Sequence, residues 1–500
     1  MEKEKILQLI QIVALVIMLL AEILLGVIVL IINMLPNEYV AILIAALVAV
    51  AAGIALFMFI KVKSNIAQWR RITSGVLAFV LACGCLVVTK LGWDAYSFVN
   101  NVTGDVSPTM STYVLVLNEN AAKTLEDTKD YKYGAIEGYD EEHTQQLLNI
   151  VKEKTGDKIQ LTYYKQASVM VDALYAGEMD ALIMNGASIS LLIENEAYAD
   201  LLSKVRLLYT HSLEGVKEED ENKGEKTDLT QSPFVFYISG SDTRSKKLVV
   251  SRSDVNILAV VHPKTKQILL VNTPRDYYVP NPAGNGKLDK LTHCGIYGVS
   301  CSAKALADLY GINVDRYAKI NFSGFEALID AIGGITIYSD YSFNTEEGYI
   351  QKGENHLDGK HALAFARERY NVSGGDNTRG QNQMKVIKAV VEKLSGSSAL
   401  ITGYADILKS LEGMLDTDLT SEQISALVKM QLTDNAPWDI QSFAVTGKGA
   451  YGETYSAPGE ELYVMHPNEL TVEQAKHLIK KVMDGELLTD KDLVMWKAES

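Results

Sequence analysis

Three long runs of apolar residues open the chain, at residues 6–32, 39–60 and 72–89. Each run is long enough to cross the hydrocarbon core of a bilayer as a helix. A cleaved signal peptide explains them poorly, because its apolar region is shorter and is not followed by two further runs. The pattern predicts three transmembrane helices, which form a membrane anchor over residues 1–95.

Basic residues are distributed unevenly around these runs. They lie at the N-terminus and in the second loop, at Lys3, Lys5, Lys61, Lys63, Arg70 and Arg71, whereas the first loop has none. Cytoplasmic loops of membrane proteins carry the excess of basic residues. The sequence therefore predicts a multi-pass protein of the cell membrane with a cytoplasmic N-terminus and extracellular domains from residue 91 onward.

Polar and thiol side chains raise two open questions. Glu22 lies inside the first apolar run, where a carboxyl group marks either a functional site or a contact between packed helices. Cys83 and Cys85 lie in the third run, while Cys294 and Cys301 are external. Spacing alone does not decide whether the external cysteines form a disulfide, and we favour free thiols.

A first region of alternating strands and helices follows the anchor. Apolar strand patterns occur at residues 113–117, 161–164 and 181–184, and helical patterns at residues 145–154, 167–176 and 189–201. This alternation predicts a small α/β accessory domain over residues 111–215. A highly charged linker over residues 216–231 ends it. The domain could bind polymer, bind a synthesis partner or space the next domain from the membrane.

A second α/β region begins near Phe234. Continuous apolar strands at residues 234–238, 256–261 and 267–272 are typical of a sheet covered by helices on both faces. Helices are predicted at residues 302–310, 323–331, 401–430 and 471–484, with another beginning near Arg379. The pattern predicts a mixed β-sheet flanked by helices over residues 232–500, with its motif core at residues 234–395.

Charge separates the two parts of the chain. The chain has 47 basic and 62 acidic residues, for a net charge of −15. Residues 1–95 carry seven basic and five acidic side chains, so residues 96–500 have a net charge of −17. Nucleic-acid binding is disfavoured, because phosphate backbones attract basic surfaces.

Arginines near element ends are the most informative polar residues of the second region. Arg275 follows a strand, where open α/β sheets commonly bind ligands. Arg367 and Arg369 would share one face if residues 363–369 form a strand, whereas on a helix they would diverge by about 200°. Gln383 lies one helical turn beyond Arg379. Guanidinium groups converging on one pocket suit a phosphate or pyrophosphate. The alternative is that they form surface ion pairs with the many carboxylates.

Two aspartates are candidate metal ligands. Asp242 and Asp254 bracket a segment between the first two strands of this region. Carboxylates beside a pyrophosphate suggest Mg²⁺, which commonly binds one or two carboxylates together with phosphate oxygens. The alternative is that both residues cap turns. The sequence contains no Walker loop.

Five motifs in order resemble the LytR-CpsA-Psr family over residues 234–395. They are Ser239-Gly240-Ser241-Asp242-Thr243-Arg244, Arg252-Ser253-Asp254, Thr273-Pro274-Arg275-Asp276, Lys290-Leu291-Thr292-His293, and Phe365-Ala366-Arg367-Glu368-Arg369 with Gly375-Asp376-Asn377-Thr378-Arg379. The three-span anchor with an intervening α/β domain is similar to the streptococcal CpsA type, which is found with capsule synthesis.

The resemblance implies an extracellular phosphotransferase that moves a glycopolymer from undecaprenyl-pyrophosphate to peptidoglycan through a phosphodiester bond. It also implies residue roles. Pyrophosphate-binding residues are Arg275, Arg367, Arg369, Arg379 and Gln383, with Arg252 and Lys304 as further candidates; Asp242 and Asp254 support Mg²⁺. One departure is that the family often continues with Arg-Gln-Gln, where this chain has Asn382-Gln383-Met384.

On this resemblance we expect an acceptor sugar hydroxyl to attack the sugar-side phosphorus while undecaprenyl phosphate leaves. Arg275, Arg367 and Arg369 would stabilise charge, and Asp276 is favoured as general base over Asp254 and Asp376. Capsular polysaccharide is the expected polymer, membrane lipid and capsule-synthesis membrane proteins are expected partners, and pyrophosphate cleavage is an expected side activity.

The alternative function is a sensor. A protein of the same fold could bind the lipid-linked glycan without turnover and signal through the three spans, with Glu22 as part of the signalling path.

Overall fold

The computed structural model describes residues 2–60, 66–102, 111–137, 141–156, 159–193, 195–212, 228–241, 251–396, 407 and 409–497. The N-terminal helices are α1 (Glu2–Ile32), α2 (Asn37–Phe59) and α3 (Ile66–Val102). Segments Gln8–Ile32, Asn37–Phe59 and Ile72–Asp94 are long and apolar enough to cross a membrane. The prediction of three apolar N-terminal helices is confirmed. Glu22 is buried between them.

The accessory domain is built on a five-stranded sheet. Its strands are β1 (Ser111–Leu117), β2 (Lys132–Ile136), β3 (Gln160–Tyr164), β4 (Ala181–Asn185) and β5 (Val205–Ser212), in the order β3-β2-β4-β1-β5. Its helices are α4 (Glu141–Thr155), α5 (Ala167–Tyr175), α6 (Gly186–Leu192) and α7 (Leu201–Lys204). The continuous helix expected over residues 189–201 is wrong, because α6 ends at Leu192 and a short 3₁₀ turn separates it from α7. Most of the expected linker lies outside the described residues.

The second region is organised around a six-stranded mixed sheet with the order β16-β11-β6-β7-β8-β17. Its strands are β6 (Phe234–Ser241), β7 (Val255–His262), β8 (Gln267–Asn272), β11 (Arg316–Asn321), β16 (Leu415–Thr417) and β17 (Asp439–Ala444). Two further strands, β9 (Tyr278–Pro280) and β10 (Leu288–Lys290), pair beside it. The expected mixed sheet flanked by helices is confirmed.

Helices and small hairpins surround this sheet. The helices are α8 (Leu291–Cys294), α9 (Val299–Tyr310), α10 (Phe322–Ala331), α11 (Gly359–Arg367), α12 (Asp376–Ser395), α13 (Ser421–Asp434) and α14 (Glu469–Met483). The remaining strands are β12 (Ile335–Ser339), β13 (Phe343–Thr345), β14 (Gly348–Ile350), β15 (Gly353–Leu357), β18 (Gly447–Thr454) and β19 (Ala457–Pro467). The expectation of one helical stretch over residues 401–430 is wrong where β16 occupies Leu415–Thr417, and residues 401–406 lie outside the described residues.

The two faces of the central sheet are covered by different helices. On one face Leu258 and Leu269 pack with residues of α9 and α14. On the other face Ile257 and Leu270 pack with α12 through Met384, while Leu427 of α13 packs against the same cluster. Alternating side chains of one strand therefore enter two separate cores, which explains why these strands are apolar throughout.

One edge of the sheet gathers the segments that carry the polar motifs. Gly240 pairs with Val255, so the end of β6 meets the start of β7. Asn272, at the end of β8, pairs with Ala444 at the end of β17. Because the strand ends coincide, the residues just before β7 and just after β8 lie at the same end of the sheet, which we call the sheet edge.

The anchor and the accessory domain both contact the second domain. Lys429 of α13 donates from Nζ to the Oδ1 atoms of Asn33 and Asn37, at 3.0 and 2.9 Å. These asparagines flank the loop between α1 and α2. On another side, Gln166 Nε2 donates to the carbonyl oxygen of Gly459 at 2.5 Å, which joins the accessory domain to the β18–β19 hairpin.

Helix α12 approaches the sheet edge closely at Gly380. A Cβ atom there would lie 2.2 Å from Asn272 Nδ2 and 2.8 Å from Asn272 Cγ. We expect Gly380→Ala to push the start of α12 away from β8 and to lower the melting temperature in thermal denaturation. Gln381→Ala, at an exposed position of the same helix, is the control and should leave the melting temperature unchanged. An equally stable Gly380→Ala protein would contradict the close packing.

Candidate functional site

A largely buried ion pair lies at the sheet edge, where β7 begins and β8 ends. Arg275, which follows β8, donates from Nη1 to Oδ1 of Asp254, which precedes β7, at 2.8 Å. Their side chains are only 18% and 13% exposed. Such a pair must offset a large desolvation cost, so it depends on good geometry and further hydrogen bonds. The pair joins two of the sequence motifs in one site.

The motif at Lys290-Leu291-Thr292-His293 supplies further partners. Thr292 Oγ1 donates to Asp254 Oδ1 at 3.1 Å. Lys290 Nζ donates to Asp276 Oδ1 at 3.1 Å, and Asp276 Oδ2 lies 3.7 Å from Arg275 Nε. The two carboxylates and their cationic partners therefore form one continuous network.

Backbone hydrogen bonds hold the loops of this network together. The Thr292 N–H donates to the Arg275 carbonyl oxygen at 2.8 Å, and the Ser253 N–H donates to the Thr292 carbonyl oxygen at 3.0 Å. Gly295 permits this approach, because a Cβ atom there would lie 2.5 Å from Ser253 N. These hydrogen bonds between the loops consequently fix the backbone positions from which the side chains of Asp254, Arg275 and Thr292 extend.

The N-terminus of α12 adds a second ion pair. Arg379 Nη2 lies 2.6 Å from Asp376 Oδ1, and the Arg379 side chain is largely buried. Asp376 and Arg379 occupy the first turn of a twenty-residue helix. The helix dipole at such a terminus favours an anionic ligand.

Residues 363–369 do not form the expected strand. Helix α11 ends at Arg367, Glu368 adopts an extended conformation, and Asp358 caps the start of the helix by accepting from the His361 N–H at 3.0 Å. The interpretation of Arg367 and Arg369 as a same-face strand pair is therefore wrong. The segment up to Arg367 is helical because a helix lets Ala362, Phe365 and Ala366 pack into one core cluster.

The two arginines consequently have different surroundings. Arg367 Nη1 donates to Glu346 Oε1 at 2.7 Å, and its guanidinium lies 4.7 Å from the centroid of the Phe322 ring. Arg369 stacks on Tyr370 and contributes to the electrostatic environment of Arg379. Arg369 therefore acts on the buried cluster. The described contacts of Arg367 are with Glu346 and Phe322, and Phe322 follows β11, whose last residue pairs with Ser241 at the same end of the sheet.

The charges of the cluster shift several pKa values. Burial alone would raise the pKa of Asp254, but Arg275, Arg252 and Arg379 outweigh it and hold that pKa below its ordinary value. Burial is also the main cause that lowers the pKa of Arg379, and repulsion from Arg275 and Arg369 adds to it. Guanidinium groups remain charged despite such a shift. Arg275 and Arg369 thus repel Arg379, while Arg252, Arg275 and Arg379 all attract Asp254.

The other predicted residues vary in their placement. Arg252 is half-buried and acts on Asp254, and Gln383 is half-buried one turn after Arg379. Lys304 is exposed on α9 and pairs with Asp308 of the same helix, so the described contacts do not connect it with the cluster. Asp242 lies outside the described residues. Asn382, at the departure from the family pattern, is buried and donates from Nδ2 to the Phe365 carbonyl oxygen at 3.3 Å.

Asp254 has the properties of a magnesium ligand. Its lowered pKa keeps it ionised, and within the described residues its two side-chain hydrogen bonds both reach Oδ1. The residues described contain no group of three or more His, Cys, Asp or Glu that could hold a metal ion. Mg²⁺ needs fewer protein ligands, since phosphate oxygens and water complete its shell. The donor set fits the ion if Asp242 or a substrate phosphate completes it.

Two features of the site were missed by sequence reasoning. Thr292 and Lys290 stand in a recognised motif, but their hydrogen bonds to Asp254 and Asp276 arise from tertiary packing. Tyr463 of β19 lies near Asp276 and Asp376, which contribute to its raised pKa after the larger effect of burial. A hairpin distant in sequence therefore borders the site. Cys294 and Cys301, near the same loop, are free thiols.

Comparison with known proteins identifies the family. The family model described as the LytR_cpsA_psr family matches residues 205–477, more than half of the chain. The chain belongs to the LytR_cpsA_psr family. The resemblance inferred from the five motifs is thereby confirmed.

Named relatives of this LytR_cpsA_psr protein are about one third identical to it over aligned stretches that cover less than half of the chain. A Bacillus cereus protein named polyisoprenyl-teichoic acid–peptidoglycan teichoic acid transferase TagU is 32% identical over 243 residues, covering 48% of this chain and 79% of that protein. A protein of the same name from Bacillus licheniformis is 33% identical over 230 residues, covering 45% and 70%. The crystal structure of B. subtilis TagU is 26% identical with a TM-score of 0.41, covering 52% of this chain and all of that chain.

The Asp254–Arg275 pair predicts an acid-dependent loss of stability. Because the folded-state pKa of Asp254 is lowered, its stabilising contribution is present above the ordinary pKa and is lost as the pH falls below about 4. Asp254→Asn should destabilise the protein by about 3 kcal/mol at neutral pH, since it removes the carboxylate that pairs most closely with the buried Arg275. The difference in the free energy of unfolding between Asp254→Asn and the unsubstituted protein should become smaller at acidic pH.

Scanning calorimetry of the full chain in detergent between neutral and acidic pH measures this difference. Asp308→Asn is the matched control, because it removes an exposed carboxylate that pairs with Lys304. It should leave the melting temperature unchanged at every pH. A destabilisation by Asp254→Asn that is the same at all pH values would contradict the assignment.

Proposed function

We propose that the protein is a membrane-anchored phosphotransferase that moves a glycopolymer from a polyprenyl-pyrophosphate carrier to peptidoglycan. The observation that carries the proposal is the buried cluster of Arg275, Arg379 and Asp254 at the sheet edge. Family membership and the names of the relatives, which are teichoic acid transferases acting on peptidoglycan, support it.

The cluster suits a pyrophosphate on electrostatic grounds. Arg275 Nε is buried and has no hydrogen-bond partner among the described residues. Buried polar atoms without a partner are rare and indicate a missing ligand or water. A pyrophosphate oxygen would accept this N–H, while Arg379 and the N-terminus of α12 would bind the neighbouring phosphate.

The position of the anchor supports a polyprenyl substrate. Lys429 joins α13 to the loop between α1 and α2, and α13 covers the same sheet face as α12. Side chains such as Ile387 and Val391 are only partly buried in that face. We propose that the polyprenyl tail leaves the charged cluster along this face toward the bilayer. Tethering then raises the effective concentration of the lipid substrate.

The proposed reaction is a displacement at the sugar-side phosphorus. An acceptor hydroxyl loses its proton to a base and forms a new P–O bond, while the bond to the bridging oxygen breaks and polyprenyl phosphate leaves. Arg275 and Arg379 would neutralise the charge on the phosphate oxygens. Mg²⁺, held by Asp254 with Asp242 or substrate phosphate, would add positive charge at the same oxygens when bound.

Asp276 stays our candidate for the general base. Asp254 is a weak base because its pKa is lowered and because Arg275 and Thr292 both donate to Oδ1. Asp276 accepts a hydrogen bond from Lys290, which would have to shift when the carboxylate takes the proton. Asp376 is the competing candidate, since it forms an ion pair with Arg379 of the same cluster.

The polymer remains a matter of prediction. The names of the relatives favour teichoic acid, whereas the three-span anchor led us to expect capsular polysaccharide. Capsule-synthesis partners, pyrophosphate cleavage as a side activity and the sensor alternative likewise stay predictions.

The burial of the arginines predicts a graded effect of substitution. With a short polyprenyl-pyrophosphate oligosaccharide, Mg²⁺ and a peptidoglycan fragment, we expect a phosphodiester-linked conjugate that mass spectrometry detects. Arg275→Ala and Arg379→Ala should each lower kcat/KM by roughly a hundredfold or more. Arg367→Ala should have a smaller effect, because its described contacts are with Glu346 and Phe322.

Lys304→Ala is the control, since this lysine is exposed and pairs with Asp308. Calorimetry of each variant separates loss of folding from loss of activity. Stoichiometric binding of the lipid with no conjugate in the unsubstituted protein would favour the sensor. Release of polyprenyl phosphate without a conjugate would indicate cleavage of the pyrophosphate alone.

The proposed topology predicts a labelling pattern. In a variant whose four cysteines are replaced by alanine, Glu38→Cys would place a thiol in the first turn of α2, next to the first loop, and Lys63→Cys one in the second loop. A membrane-impermeant maleimide should label Glu38→Cys in intact cells, and Lys63→Cys only after permeabilisation. The reverse pattern would place residues 91–500 in the cytoplasm and refute the proposed function.

A further inference from the structure

The hairpin of β18 and β19 presents aromatic side chains beside the site. Tyr451 and Tyr463 are directly paired across the two strands. Their ring centroids are 6.2 Å apart in an edge-to-face arrangement. Tyr451 is 72% and Tyr463 42% exposed. Exposed tyrosines in such proximity offer a surface that is apolar on the ring and polar at the hydroxyl.

The hairpin is firmly attached to the network around Asp276. The Met465 N–H donates to the Asp276 carbonyl oxygen at 2.7 Å, two residues from Tyr463. At the other end, Ser456 donates to the buried carboxylate of Asp289, which also binds His293 Nδ1 at 2.6 Å. The tyrosines are therefore held in place relative to the catalytic candidates.

Local sequence explains how Tyr463 lies flat over the neighbouring strand. A Cβ atom at Gly449 would lie 2.7 Å from Tyr463 Oη and 2.9 Å from Tyr463 Cε2. Only glycine leaves room for the ring at this position. Electrostatic effects of Asp276 and Asp376 on Tyr463 agree with this placement beside the two carboxylates.

The β18–β19 hairpin and the face along which we propose that the polyprenyl tail runs lie on different sides of the central sheet. Met465 of β19 joins the core formed with α9 and α14. The polyprenyl tail is proposed to follow the opposite face, which α12 and α13 cover and from which Lys429 reaches the anchor. A donor with its pyrophosphate on the arginines would thus leave the hairpin side open to the second substrate.

We propose that Tyr451 and Tyr463 form a stacking platform for the acceptor glycan of peptidoglycan. This inference rests on the proposed function. The attacking hydroxyl must lie within hydrogen-bond reach of its base, and Tyr463 lies two residues from Met465, whose N–H donates to the Asp276 carbonyl oxygen. The apolar C–H face of a pyranose ring stacks on an aromatic ring, while the tyrosine hydroxyls can bind sugar hydroxyls. The sugar rings of a glycan offer many such C–H faces. Because these rings are uncharged, they can bind without contacting the arginines.

The test compares acceptor and donor kinetics of the full chain in detergent. The concentration of the peptidoglycan fragment and that of the short polyprenyl-pyrophosphate oligosaccharide are varied in turn, which gives a KM value for each substrate. Tyr451→Ala/Tyr463→Ala should raise the acceptor KM by roughly tenfold or more and leave the donor KM within about twofold. Gly449→Ala, which displaces the Tyr463 ring while keeping both tyrosines, should also raise the acceptor KM. Tyr338→Ala, at an exposed tyrosine of β12, should change neither.

Saturation-transfer NMR with a peptidoglycan glycan fragment alone measures binding without turnover. Signal from the fragment that disappears in Tyr451→Ala/Tyr463→Ala supports the platform even if the unsubstituted protein forms no conjugate, in which case only the proposed function fails. Transfer by the unsubstituted protein with an unchanged acceptor KM in the tyrosine variant overturns the platform and leaves the proposed function intact. A raised donor KM instead would assign the tyrosines to the donor glycan and also overturn the inference.

Discussion

The buried pairing of Arg275 with Asp254 is the constraint on which the site depends. Desolvating a guanidinium and a carboxylate is costly, and the cost is met only when further partners complete their hydrogen bonds. Thr292 donates to Asp254, the Asp276 carboxylate lies 3.7 Å from Arg275 Nε and is itself bonded to Lys290, and the backbone of each loop is bonded to the next. The start of β7, the end of β8 and the start of α8 are consequently positioned by the same set of charges that would bind an anion.

This arrangement carries an excess of fixed positive charge. Arg252, Arg275 and Arg379 all attract Asp254, and repulsion from Arg275 and Arg369 helps to lower the pKa of Arg379. An anionic ligand would relieve that repulsion and add to the stabilisation that Asp254 already provides. The net negative charge of the surrounding chain makes the local field at the sheet edge stand out from the remaining surface.

The sequence was sufficient for the three spans and for the strands β6, β7 and β8, because long continuous apolar runs have few alternatives. It was insufficient where a local signal is weak. Strand β2 was missed since Gly134 interrupts its pattern, although that glycine lets Leu182 and Met170 pack against the backbone. The glycine-rich β18 was missed for the same reason. The pattern of residues 363–369 fitted either a strand or a helix, and the cap that Asp358 provides to α11 belongs to the helix. The arginine cluster was anticipated in part, but the contacts of Thr292, Lys290 and Tyr463 join residues distant in the chain, and only tertiary structure brings them together.

The bridge from Lys429 to Asn33 and Asn37 has a consequence for how the substrate is found. It fixes the height of the sheet edge above the first loop, so the charged cluster cannot swing freely on a flexible stalk. For the proposed topology, a carrier lipid would meet the cluster by lateral diffusion in the leaflet, at a constant depth of its head group. The encounter rate would then depend on the number of carrier molecules per unit of membrane area, and hardly at all on the length of the glycan chain that extends into the wall.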